Sequence, residues 1–246
     1  MFKNFILILV SVACLTGIYG QSVTEKIDHL VAEKFKGFDS GLTLIATQKG
    51  GTVYHKAFGQ ADIELEVPME LDHIFRIGSI TKQFTAVAIL SLLEEGKLTL
   101  QDPLTKYFPG YNTEENTVTI EHLLTHTSGI PSYTSAPFWD RELRKKDFDP
   151  IELIEHFAAD SMDFKPGDRW RYNNTGYFML GIIIEQVSGK SYQEYIQEHL
   201  FDKLGMESSS YGDPHRIIAN RASGYQPSQD GLSNADYLRL PLIIDL

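Results

Sequence analysis

Val23, Ile27, Leu30, Val31 and Phe35 recur at close to helical spacing and predict an amphipathic helix over residues 23–35. Two β-rich runs follow, residues 41–48 (GLTLIATQ) and 52–58 (TVYHKAF). They are separated by Lys49-Gly50-Gly51, where glycine can adopt the positive φ of a tight turn, so a two-stranded hairpin with the helix against it is expected. Between residues 79 and 95 the pattern changes. Phe84, Val87, Ala88, Leu90 and Leu92 leave few polar sides, which predicts a buried helix stopped by Gly96. Residues 119–125 and 150–159 predict further helices, the second with Pro150 in its first turn. Residues 176–187 are strongly apolar, and residues 191–204 are amphipathic through Tyr195, Ile196, Leu200 and Leu204. After these, only the short 242–244 run reads as a strand. An isolated hairpin is marginal in water. The expected architecture is therefore a mixed α/β (α+β) one, an antiparallel sheet flanked by helices with a mainly helical subdomain, in which C-terminal sheet strands are missing.

No repeat or low-complexity linker interrupts residues 21–246, which read as one domain incomplete at its C-terminus. Residues 1–20 (MFKNFILILVSVACLTGIYG) carry Lys3, an apolar run and then small residues, the pattern of a signal peptide. The run is shorter than the roughly 20 residues of a membrane-spanning helix, so a periplasmic or secreted protein with no transmembrane segment in its mature form is expected. Cys14, the single cysteine, lies in this leader and is a candidate lipid-attachment point, but Ser11 stands where a lipobox prefers leucine. Cleavage after Gly20 removes the cysteine, and with it disulfides, thiolate nucleophiles and cysteine-ligated zinc. The formal charge of −11, with no Lys/Arg-rich run, disfavours nucleic acid as a partner. No cofactor is expected.

Candidate chemistry begins with Ser79-Ile80-Thr81-Lys82. On a helix this spacing puts serine and lysine on one face, about one turn apart. A serine hydroxyl needs an adjacent base, and a lysine with an unperturbed pKa near 10.4 needs desolvation to act as one. The start of a helix also offers unpaired N–H groups to an oxyanion. The alternative is that Ser79 simply caps the helix, and at this point both readings stand. Tyr172-Asn173-Asn174 offers a phenol and, two residues on, an amide that share a side if the backbone is extended; a plain turn is the alternative. His122 and His126 have zinc-like i,i+4 spacing, but no glutamate follows the first, and no metal is expected. Gly189-Lys190-Ser191 mimics the end of a phosphate loop, yet Ile184 stands where a glycine belongs; Gly189 is better read as a helix stop. No GxSxG elbow is present.

In order along the chain, Phe75-Arg76-Ile77-Gly78-Ser79-Ile80-Thr81-Lys82, His122-Leu123-Leu124-Thr125-His126-Thr127-Ser128-Gly129, Lys165-Pro166-Gly167, Tyr172-Asn173-Asn174-Thr175-Gly176-Tyr177 and Leu204-Gly205-Met206 resemble the serine β-lactamase and penicillin-binding-protein family. The likeness runs over residues 41–225 and is closest to the class C and esterase-like branch. It implies a β-lactamase/transpeptidase-like fold and an acyl-enzyme. Ser79 would attack a peptide, ester or β-lactam carbonyl, Lys82 and Tyr172 would share the proton shuttle, and Asn174 would hold the substrate amide or the lysine. Thr125, His126 and Ser128 match a segment that in the family packs beside the site and are read as structural. The family's third element, KTG or HxG, does not follow Asn174. The alternative is therefore a non-catalytic remnant or binding protein that keeps the cleft. The substrate, a small molecule or a peptide, is not specified by these residues.

Overall fold

The computed structural model describes residues 22–35, 40–135, 151, 154, 162–212, 216–229 and 231–235. The leader with Cys14, and the 242–244 run, lie outside them, and of the helix expected over 150–159 only Ile151 and Ile154 are described, both helical. The chain divides into two compact units, one formed by the described residues up to Ile74 with Ala219–Ala235, the other by Phe75–Ile218.

In the first unit, α1 (Val23–Lys34) opens with a capping box. The Ser22 side chain accepts from the Glu25 N–H, and the Glu25 carboxylate accepts from the Ser22 N–H. The hairpin is β1 (Leu42–Gln48) and β2 (Gly51–Phe58), antiparallel, with Gln48 opposite Gly51. Its loop is therefore Lys49-Gly50 alone, with both φ values positive as a type I′ turn demands, and Gly51 belongs to the strand. A bulge between Ala46 and Thr47 shifts the register. Asp28 ties α1 to β2: its carboxylate accepts from the buried Tyr54 hydroxyl at 2.5 Å and from Lys56 at 2.7 Å. Two further antiparallel pairs complete this unit, β3 (Gln60–Asp62) with β4 (Val67–Pro68) and β5 (Tyr225–Ser228) with β6 (Gly231–Asn234). The β5–β6 hairpin is an addition to the expected elements. Its residues are polar and carry Pro227, so no apolar alternation marks them. Tyr225 fastens it to the turn after β3, the hydroxyl accepting from the Ile63 N–H at 2.8 Å and donating to Glu64.

The second unit is helical and built around α4. In chain order it contains α2 (Thr81–Glu94), α3 (Ile120–Leu124), α4 (Asn174–Ser188), α5 (Tyr192–Ile196), a π-turn over Gln197–Phe201 and α6 (Asp202–Leu204). Every residue from Thr175 to Ile184 is buried, so α4 is enclosed on all sides, as its apolar run requires. Asn173 caps it by accepting from the Gly176 N–H at 2.7 Å, and Gly189, in the left-handed region, ends it. Ala88, Ile89 and Leu92 of α2 join this core, each large apolar side chain contributing about 1.5–3 kcal/mol. The expectation that α2 is buried all round needs correction: Val87 and Leu90 are 45% and 43% exposed, because one stripe of the helix carries its packing.

Between α3 and α4 the chain turns at Gly129. A Cβ built there falls 1.9 Å from the Phe164 carbonyl oxygen, and the residue sits at φ +74°. Both the approach and the conformation demand glycine. Gly129→Ala is expected to destabilise the protein by at least about 2 kcal/mol, read as a lower urea midpoint; an unchanged midpoint would contradict the packing described.

Candidate active site

Gly78 takes a left-handed turn (φ +51°) and leads into a single 3-10 turn, Gly78–Ile80, directly before α2. Ser79 stands exposed on that turn, one step outside the α-helix proper. The cap position of α2 is Ile80, and no side chain caps either the turn or the helix. Capping therefore does not account for Ser79. One turn on, Lys82 is 8% exposed. Among the described residues no carboxylate pairs with its amine. Nζ donates to Asn174 Oδ1 at 2.8 Å and faces the rings of Tyr172 and Tyr177, at 4.8 Å and 5.6 Å from their centroids. A cation buried without a counter-ion is costly, and a carbonyl dipole with two aromatic faces offsets only part of that cost.

The approach to α4 supplies the other members. Asn173 is extended (φ −140°, ψ 123°), so Tyr172 and Asn174, two positions apart, reach the same amine. Asn173, between them, points away and is 5% exposed; its amide donates to the Ile130 carbonyl while its oxygen caps α4. The lysine sets the Asn174 amide, because Nζ donates and so takes Oδ1, which leaves Nδ2 to donate to Thr134 Oγ1 at 2.9 Å. Its own N–H donates to Ser132 Oγ at 3.2 Å, and Ser132 and Thr134 share a hydrogen bond of 3.0 Å. This Ser-x-Thr pair was not singled out from the sequence. Hydroxyls two positions apart ahead of Tyr172-Asn173-Asn174 are the only signal it gives. Tyr133 and Tyr177 have phenols held above the ordinary value, by burial first and then by Tyr172. Tyr172 is the exposed phenol of the three, at 42%.

The two histidines of the 122–126 pair do separate work. His122 is part of the α3 capping box, its Nδ1 accepting from the Thr119 N–H at 3.2 Å. His126 lies between the Tyr172 and Tyr177 rings, with centroids at 4.8 Å and 5.0 Å, and Trp170 meets it edge-on at 6.0 Å. Its Nδ1 accepts from the Asn173 N–H at 3.1 Å. Burial, followed by the charge on Lys82, holds this imidazole below the ordinary value of 6.5.

A buried lysine held by an asparagine thus lies against the face of a tyrosine ring, one turn after an exposed serine. The chain matches the Beta-lactamase family model over residues 27–242, and it belongs to that family. It is 31% identical to Protein flp of Staphylococcus aureus (strain N315) over 216 residues, which are 86% of this chain and 42% of that protein. A crystal structure of a penicillin-binding protein from Bacillus halodurans is similar, with 33% identity and a TM-score of 0.73, over 88% of this chain and 66% of that one. D-amino acid amidase from Ochrobactrum anthropi SV3, complexed with L-phenylalanine amide, is 28% identical with a TM-score of 0.73, over 85% of this chain and 60% of that one. The fold is thus β-lactamase/transpeptidase-like, with mixed helix and strand. The chain spans 37 to 42% of the length of the curated relatives it matches.

The His126 environment makes stability depend on pH. Its folded-state titration lies below its unfolded one, so the unfolded chain binds more protons, and the contribution is present above 6.5 and lost as pH falls below it. The His126→Asn protein is expected to lose less stability than the wild type between about pH 7.5 and pH 5; equal losses in urea titrations would contradict the assignment.

Proposed function

We propose that this chain is an exported serine hydrolase that forms an acyl-enzyme at Ser79 on an amide, peptide, ester or β-lactam carbonyl. The observation that carries this reading is the convergence of Tyr172 and Asn174 on the buried Lys82 amine, which lies one turn after an exposed, non-capping serine. Ser79 Oγ attacks the carbonyl carbon, and its proton passes to the Lys82–Tyr172 pair. The pair returns that proton to the leaving nitrogen or oxygen as the carbonyl–leaving-group bond breaks. Water then adds to the ester carbon and gives up a proton to the same pair, which passes it to Ser79 Oγ as the Oγ–carbon bond breaks and the acid is released. Asn174 keeps the lysine aimed. The amide bound in the amidase structure supports a small amide or peptide among the substrate classes. Residues 1–20 support export to the periplasm or medium. No helix among the described residues is long and apolar enough to cross a membrane.

A fluorophosphonate or penicillin probe, followed by peptide mapping, tests the reading. Label is expected on Ser79 and is expected to vanish in Ser79→Ala. Label that persists in Ser79→Ala, or a folded wild type that takes none, would overturn it, the second result favouring a binding protein that keeps the cleft. Lys82→Met removes a buried amine that has no carboxylate partner among the described residues and keeps the stem, so its melting temperature is expected to match or exceed the wild type's while labelling falls at least about 100-fold. A large loss of stability in this variant would mean that the amine is a structural tie.

A further inference from the structure

His126 holds a left-handed backbone position that is most often given to glycine. Helix α3 ends in a Schellman arrangement, in which the Thr127 N–H donates to the His122 carbonyl at 2.9 Å and the His126 N–H to the Leu123 carbonyl at 3.3 Å. This places His126 at the left-handed position after the cap, with φ +60°. Glycine is the residue that this position favours, and a side chain there is tolerated only when its surroundings hold it. What surrounds it is the site: its ring lies against Tyr172 and Tyr177, and its Nδ1 accepts from the N–H of Asn173, the residue between Tyr172 and Asn174.

We infer that His126 is a positioning residue for acyl transfer. As a neutral imidazole with its proton on Nε2, it pins the 172–174 backbone through Nδ1 and, by a tilted ring contact, fixes the Tyr172 ring over the Lys82 amine. The inference deepens the serine-hydrolase reading and rests on it. The geometry requires the neutral ring, since protonation of Nδ1 turns the acceptor facing the Asn173 N–H into a donor, and two donors then confront each other. A second positive charge would also stand beside Lys82. The titratable groups that face the ring are Lys82 from α2, Tyr172 from the extended segment and Tyr177 from α4; on its own side, His122 is occupied with Thr119. Among the described residues no carboxylate hydrogen-bonds the imidazole to hold a proton on it.

The left-handed backbone supplies a clean pair of variants, since glycine and asparagine both accept that conformation. His126→Gly removes ring and acceptor together, whereas His126→Asn restores an acceptor near the Nδ1 position without the ring. The measurement is the acylation rate constant with a fluorophosphonate probe from about pH 5 to pH 9, with the melting temperature of each protein and histidine NMR on the wild type. Both variants are expected to remain folded. At neutral pH His126→Gly is expected to acylate about ten- to a hundredfold more slowly, the scale of a small misplacement of a catalytic group, and His126→Asn to recover at least about threefold over it. The wild-type rate is expected to fall as pH drops through the NMR titration of His126, and both variants to lack that limb. Equal rates in the three folded proteins, or an unchanged acid limb in His126→Gly, would overturn the inference. A wild type that is not labelled at Ser79 overturns the hydrolase reading and this inference with it. Normal wild-type labelling with indifferent variants overturns this inference alone.

Discussion

The site depends on keeping the Lys82 amine out of water with no carboxylate partner among the described residues. In the proposed acyl transfer a carboxylate beside Lys82 would tie up the amine that the reaction needs. The chain instead uses weaker partners, the carbonyl of an amide and the faces of two tyrosines. Such partners hold the amine in place. The arrangement is expensive in stability, and the surrounding helices supply what offsets it, above all the fully enclosed α4, whose first residue is the asparagine that grips the lysine.

That coupling explains why structural and chemical residues alternate along 172–176. Tyr172 and Asn174 face the amine, while Asn173 and Gly176 close the cap of α4. The helix cap therefore sets the register of the site. The loop over residues 126–134 closes the other side, where Ser132 accepts from the Asn174 backbone N–H and Thr134 from its side-chain amide. Burial holds the Tyr133 and Tyr177 phenols above the ordinary value, and Tyr172 is the exposed ring of the three.

Much of this was legible in the sequence, for identifiable reasons. The Ser79–Lys82 spacing fixes proximity on any helical turn, and Tyr172 and Asn174 share a side whenever the residue between them is extended. Apolar periodicity marked α1 and α5. What escaped depends on contacts between distant segments. His126 read as packing beside the site because its left-handed turn, which aims the ring at Tyr172, has no signature in a histidine codon. Ser132 and Thr134 are ordinary loop residues until Asn174 reaches them. The β5–β6 hairpin has no apolar face, and α2 read as wholly buried because a run of apolar residues conceals which stripe is covered.

The most direct test of the central claim is a crystal structure of the phosphonylated protein. The account predicts phosphorus bonded to Ser79 Oγ, with Lys82 Nζ within about 3.2 Å of that oxygen and still held by Asn174. Phosphorus on another side chain, or a Lys82 amine turned away to a carboxylate or to solvent, would contradict it.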